Sequence, residues 1–311
     1  MPGRSISVID PLSPAIQRAK LMLFSPFDLG KWFVIGFCAW LAQLGQGGFN
    51  FNCGFPSPGS QGSAWSRGDI QQFLHSQMPV IILVGLIALV VGIAIMLVVL
   101  WLSSRGRFMF LHCVALNRAE VKAPWHTYRR QGNSLFCFRL VVGLIFFFAA
   151  LLLGGIIALS VGLFCAAGFH LNAAAIAAII LGGLILLCGV IACLLILKFT
   201  QDFVVPIMYL HGCRCVDGWR EFAALLKSNK GTFALYILFQ VVIGMAVGAL
   251  VFVLVLSSCC CCGLGIVFLI PYIGTVALLP IFVFVRSYSV YYFCQFGLRY
   301  DVFEPQVELT G

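Results

Sequence analysis

The residues best suited to chemistry in this chain are histidines, cysteines and one lysine–carboxylate pair. His211, Cys213 and Cys215 sit close together, and His112 with Cys113 occupies the matching place earlier in the chain. Imidazole and thiolate are zinc donors, yet this spacing fits none of the usual ligand patterns, so no metal is expected and the histidines read as a repeated interfacial Leu-His pair. Cys259, Cys260, Cys261 and Cys262 are consecutive. Neighbours on a helix point in different directions, so four in a row do not build a tetrahedral site. Pairing of one of them with Cys53 competes with free apolar packing, and Cys38, Cys137, Cys165, Cys188 and Cys193 read as small apolar fillers. Lys198 and Asp202, four apart, share one helical face and read as a structural ion pair. Asp217 and Glu221 share a helix turn, where capping and solvation account for both. The sequence has no His-Glu-x-x-His helix, nucleophile elbow or glycine-rich loop after a strand. The expectation is a protein that is not an enzyme, with no catalytic, cofactor-binding or metal-ligating residue and no cofactor.

The elements that must position these groups follow from composition. Of 311 residues 62% are hydrophobic and 9% charged, with a mean hydropathy of +1.06, against roughly 25% charged in soluble domains. Lipid is therefore the main solvent. A helix crosses ~30 Å of hydrocarbon with about 20 apolar residues, and six stretches qualify: 26–46, 79–102, 136–167, 173–197, 232–256 and 263–285. The predicted fold class is all-α, a polytopic membrane protein with six transmembrane helices as three hairpins and short interfacial amphipathic helices on the cytoplasmic side.

Charge sets the orientation. Every Lys and Arg except Arg67 falls in the N-terminal segment, the second and fourth gaps or the C-terminal tail. Basic residues are retained on the cytoplasmic side, which predicts a multi-pass membrane protein with both termini cytoplasmic. The net charge of +9 then faces anionic headgroups, making membrane lipids the expected partners. Nucleic acid is not expected, because the aromatic residues lie in spans and not in a polar groove. Residues 1–25 are polar and proline-punctuated and no small-x-small cleavage site follows the first apolar run, so that span is expected to be retained. Ser25-Pro26-Phe27-Asp28 reads as its helix start, with a capping hydroxyl, a proline at the first helical position and a carboxylate at the third. Lys31 and Trp32 follow as interface anchors.

The pattern repeats three times, over candidate hairpin units 12–118, 123–214 and 217–299, with 300–311 a polar tail. The returning helices end in Phe110-Leu111-His112-Cys113 with Arg118, Tyr209-Leu210-His211 with Arg214, and Tyr292-Phe293-Cys294 with Arg299. The basic residues that enter these ends, Arg105, Lys198 and Arg286, stand at similar distances before the closing arginines. A triplicated helical hairpin is the expectation. Each unit opens with a short segment. Trp219, Phe222 and Leu226 share a face after Asp217, which would cap their helix, while Arg220, Glu221 and Lys227 lie elsewhere, as in a helix lying in the headgroup plane. A second such segment runs through Ile16, Ala19 and Leu23, and a third through Pro124, Trp125 and Tyr128. The interfacial candidates are accordingly Trp125, Tyr128, Arg129, Arg130, Trp219, Arg220, Phe222 and Lys227. Kinks are expected at Pro206, Pro271 and Pro280. Small pairs, Ala88 with Gly92, Ala158 with Gly162, Ala178 with Gly182 and Gly244 with Gly248, mark expected seams between helices. No charge stands in the middle third of any span, which argues against ion-coupled transport.

The stretches Ser25-Pro26-Phe27-Asp28-Leu29-Gly30-Lys31-Trp32-Phe33 and Asp202-Phe203-Val204-Val205-Pro206-Ile207-Met208, with the end from Phe284 to Phe303 carrying Arg286, Tyr288, Gln295 and Asp301, resemble an uncharacterised group of bacterial six-span membrane proteins. That group is similar to the membrane domain attached to some glycerophosphodiester phosphodiesterases. The resemblance implies an inner-membrane location and no assigned activity. The phosphodiesterase carries its catalysis in a separate soluble barrel, for which this chain has no room, so neither its activity nor any functional residue transfers. The reading is an integral membrane protein of unknown activity, a non-enzymatic module that binds lipid or a partner protein. The alternative is a transporter, channel or translocator for a neutral or lipidic cargo.

Overall fold

Apolar runs separated by basic, proline-broken gaps become an all-helical chain in the computed structural model, which describes residues 6–25, 27–45, 67–166, 173–260 and 271–303. In chain order these form α1 (Leu12–Phe24), α2 (Leu29–Gln43), α3 (Arg67–Leu116), α4 (Lys122–Thr127), α5 (Arg129–Ala166) and α6 (Ala173–Phe199). A π-helical turn (Thr200–Val204) leads into α7 (Val205–His211), then α8 (Cys215–Ser228), α9 (Lys230–Cys260), α10 (Pro271–Ala277), α11 (Leu279–Cys294) and a final 3-10 turn (Leu298–Tyr300).

Four stretches are long and apolar enough to cross a membrane: Met78–Leu116, Arg129–Gly162, Ile179–His211 and Lys230–Ser257. The first and last expected spans correspond to shorter apolar helices, α2 of 15 residues and α11 of 16, and residues 263–270 of the last expected span lie outside the described residues. The expected first helix start moves three residues on, because Asp28 and not Ser25 is the cap, its Oδ1 accepting from Gly30 N at 2.8 Å. The expected last span breaks at Leu278, between α10 and α11. Of the three expected kinks, Pro206 directly follows the π turn and Pro280 lies in the first turn of α11 just after the break, while Pro271 is the first residue of α10 and what precedes it lies outside the described residues.

Packing is concentrated at the basic ends of the helices. Within the most apolar windows of α3, α5 and α6 no residue is buried by protein, and lipid tails would solvate such side chains as well as another helix does. The expected seams at Gly92, Gly162, Gly244 and Gly248 face open space; only Gly182 of that set meets a neighbour, Ile157. Close approach occurs instead where α2 crosses α3. A Cβ on Gly106 would stand 2.6 Å from the Leu41 carbonyl carbon and 2.7 Å from Ala42 N.

Beyond that crossing lie two buried clusters. One gathers Phe203, Phe222, Phe233, Tyr236, Tyr292 and Phe293; the other gathers Met22, Leu23, Ile35, Cys38, Met109 and Val283. Phe203 is central to the first, stacked on Phe222 and edge-on to Phe233, each at 5.2 Å between centroids. α1 packs against α11, where Tyr288 Oη donates to Val8 O at 2.9 Å and Gln295 exchanges two hydrogen bonds with the Ser7 main chain. α3 ends at Asn117, whose φ of 55° is the left-handed cap conformation. Arg18 donates to the α3 carbonyls of Val114 and Ala115, at 3.0 and 2.6 Å, and Lys31 donates to Asn117 Oδ1 at 2.9 Å. Cations thus meet the negative end of the longest helix dipole.

Candidate functional site: a buried cationic layer

The π turn is the origin of the site. Val205 N–H bonds to Thr200 O, five residues back. The same pairing one residue on would need an N–H at Pro206, which has none. Arg286 Nη1 reaches over from α11 and donates to the Gln201 carbonyl at 2.6 Å. The wider turn carries Asp202 at 3% exposure, where its Oδ2 accepts from Tyr236 Oη at 2.9 Å and lies 3.0 Å from Lys198 Nζ. Gln240 Nε2 donates to Tyr236 Oη at 2.8 Å, extending the chain of polar contacts onto α9.

Four arginines are buried at this level: Arg105, Arg107, Arg139 and Arg286, each at most 7% exposed. Arg105 is accounted for locally, held between the faces of Trp101 and Trp125 at 4.3 and 4.8 Å and donating to Asn133. Arg139 donates to the hydroxyls of Ser103 and Ser104. Arg107 lies within electrostatic range of Arg139, Arg286 and Asp202. Its Nε and Nη1, and Nη2 of Arg286, are buried with no hydrogen-bond partner in the protein. A cavity of about 50 Å³ collects these groups, lined by Arg107, Arg286, Lys198, Gln201 and Asp202. Three cationic side chains and one carboxylate therefore line one cavity, and the carboxylate already accepts from Tyr236 and pairs with Lys198.

Four helices present the same axial order here. Apolar segments come first (to Leu102 on α3, to Leu195 on α6, from Val241 onward on α9, to Val285 on α11). The polar level follows at Arg107, Lys198 to Asp202, Tyr236 and Arg286, and then the aromatic clusters. Beside the cavity, between α6 and α9, runs an apolar groove of about 560 Å³ lined by residues such as Ile191, Leu194, Val241, Gly244 and Val247. Lys198 and Val285 line both spaces.

A profile for a family of unknown function, DUF7544, matches residues 6–302. The chain belongs to the DUF7544 family. No curated protein and no solved structure matches it.

In this DUF7544 chain the interfacial candidates divide. Arg129, Arg130, Arg220 and Lys227 are exposed. Trp125 is half-buried on Arg105, Tyr128 stacks on Tyr209 at 4.9 Å, and Trp219 stacks on Phe138 and donates to Thr200 Oγ1 at 3.2 Å. Phe222 is the correction: it is fully buried against Phe203 and has no surface left for headgroups. The apolar face of α8 is covered by protein, the π turn and α5, and not by lipid. Its helix starts earlier than Asp217, at Cys215, whose N–H donates to Ser134 Oγ at 3.0 Å.

The closing motifs of the three expected repeats meet. His112 Nδ1 contacts Tyr209 Oη at 3.1 Å, and His211 lies between Glu221 at 3.1 Å and Arg299 at 3.4 Å. Glu221 also accepts from Tyr300, whose phenol is pushed up by burial and by that bond. Among the described residues no three His, Cys, Asp or Glu side chains form a cluster able to hold a metal ion. Cys215 sits in the apolar core, where burial and the nearby Cys213 push its thiol up to about 12. Cys53 and the side chains of Cys259 to Cys262 lie outside what the structure describes. Reading from sequence counted Arg107 and Arg139 only as topology signals, and Arg286 as an entry basic and a residue of the resemblance, none of them as part of a site. The signal that could have found the site was the equivalence of Lys198 and Arg286 as entry basics of successive repeats, since both line the cavity.

Proposed function

We propose that this protein is a non-enzymatic membrane module of the bacterial inner membrane, with both termini cytoplasmic, that binds anionic lipid at its basic side. The observation that supports it is the cationic layer. Burying several guanidinium groups with a single carboxylate is costly, and ionisable groups at the edge of the hydrocarbon are expensive unless an ion or ligand meets them. Anionic headgroups of the inner leaflet are the counter-charge at hand. The exposed Arg129, Arg130, Arg220 and Lys227 add a long-range attraction to the same leaflet.

Native mass spectrometry of the detergent-extracted protein tests this: retained phospholipid, enriched in anionic species over the membrane average, is the expected result, and lipid-free protein refutes it. Orientation is tested separately by Arg129→Cys and Lys227→Cys, which a membrane-impermeant maleimide should label only from the cytoplasmic side. The apolar groove between α6 and α9 supports one second reading, translocation of a lipidic cargo. Reconstituted vesicles that exchange fluorescent phospholipid between leaflets faster than empty ones would establish it.

A further inference from the structure

Resting on the lipid-binding reading, we propose that Arg107, Arg286 and Lys198 form the headgroup site for one anionic glycerophospholipid, with an acyl chain lying in the groove between α6 and α9.

Charge calls for an anion. Arg107, Arg286 and Lys198 line the cavity against Asp202 alone, and Asp202 already pairs with Lys198 and accepts from Tyr236. Arg107 Nε and Nη1 and Arg286 Nη2 have no hydrogen-bond partner, on side chains that are 3% and 6% exposed and line the cavity. Nε of Arg105 and of Arg139, which do not line it, are the other two unpartnered guanidinium nitrogens among the described residues. Guanidinium forks match the tetrahedral oxygens of a phosphate, and such charge-assisted bonds are the strong ones. The cavity of about 50 Å³ is several times the ~10–15 Å³ that one water needs, enough for a phosphate-sized group and not for a large solute.

Continuity with the groove selects a lipid over a soluble phosphate. Lys198 side-chain atoms are 35% exposed, and the residue stands where the polar cavity opens onto the apolar groove, which shares it and Val285. From Lys198 back to Ile191 the groove follows α6 for about 10 Å toward the membrane centre, the direction an acyl chain takes from its phosphate. Depth agrees as well. Trp101 and Trp125, which hold Arg105 between them, are side chains of the kind that settle at the headgroup level, and Arg107 lies within two residues of that arginine. The excess of positive charge favours a headgroup with net negative charge over a zwitterionic one.

The test uses the full chain reconstituted in phosphatidylcholine vesicles with or without phosphatidylglycerol, extracted, and weighed by native mass spectrometry. Three variants are compared: Arg107→Gln, Arg286→Gln and Gly244→Phe. Gly244 lines the groove with open space where its Cβ would be, so phenylalanine fills the groove without touching the arginines. The wild type is expected to retain one phosphatidylglycerol, and each variant to lose at least about tenfold in occupancy, the effect of about one charge-assisted hydrogen bond or its apolar equivalent. Circular dichroism and gel filtration establish that the variants fold; should the arginine variants fail to, the Gly244→Phe result decides. Equal retention by wild type and all folded variants overturns this site and leaves lipid binding standing. So does loss in Arg129→Gln/Arg130→Gln with retention in Arg107→Gln, which puts the lipid on the exposed collar. No lipid on the wild type overturns both. Stabilisation by inorganic phosphate as large as that by phosphatidylglycerol, and unaffected by Gly244→Phe, overturns the lipid in favour of a free anion.

Discussion

Arg286 Nη1 donates to the main-chain carbonyl of Gln201 at 2.6 Å, at the turn where Pro206 has no N–H to offer. This bond joins α11 to the widened turn after α6 and fixes the segment that carries Asp202. A proline in a helix thus becomes the reason for a buried arginine, and the arginine part of a cationic cavity. π-helical turns are rare and frequently accompany functional sites.

Asp202→Asn should be the most damaging single change at this layer. It keeps the shape and the bond from Tyr236 but leaves Lys198, Arg107 and Arg286 without a carboxylate. Breaking a buried pair costs about 3–5 kcal/mol; with the Lys198 side chain 35% exposed, the lower end is expected. Thermal unfolding in detergent measures it. The double variant Lys198→Met/Asp202→Asn should recover part of the loss, and purely additive effects would show that the two residues do not interact.

The crossing of α2 and α3 predicts opposite outcomes for two glycine replacements. Gly106→Ala places a methyl against main-chain atoms of Leu41 and Ala42 that cannot move aside, a strain of about 1–3 kcal/mol. Gly244→Ala meets nothing and should leave the melting temperature unchanged or raise it, since alanine is favoured over glycine in a helix by about 1 kcal/mol. Equal melting temperatures for both variants would refute the close approach.

Phe222 and Arg220 lie on the same amphipathic helix and should behave differently. Phe222→Ala removes a ring packed on Phe203, Phe233 and Trp219 and should cost about 3–5 kcal/mol with or without lipid. Arg220 is exposed and 3.7 Å from an Asp217 that is also exposed, a pair worth at most about 1 kcal/mol. Arg220→Gln should leave stability unaltered and weaken only the salt-sensitive binding of the chain to anionic vesicles.

Cys215 gives a pH dependence of defined sign. Burial raises its thiol to about 12, so the fold favours the neutral form. Its contribution is fully present below the unfolded thiol's value of roughly 8.5 and is lost as pH rises toward the folded one. Between pH 8 and 10.5 the wild type should lose more stability than Cys215→Ala. At pH 8 iodoacetamide should alkylate Cys215 in the folded protein far more slowly than after denaturation, as mass spectrometry of the peptides would show; equal rates would place it at the surface.

The sequence by itself determined an all-helical chain with helices long and apolar enough to cross a membrane, because composition and local spacing act residue by residue. Tertiary structure decided what those local signals leave open. Whether Phe222 faces lipid or protein depends on what covers α8, and the glycine seams fell at Gly106 because two backbones cross there while Gly244 faces none. Lys198 with Asp202 was visible as a four-residue spacing. Arg107 and Arg286 joined it only because an arginine some eighty residues away in sequence reaches a carbonyl that a proline cannot serve. Burial and charge convergence are properties of several helices at once, and no single segment carries them.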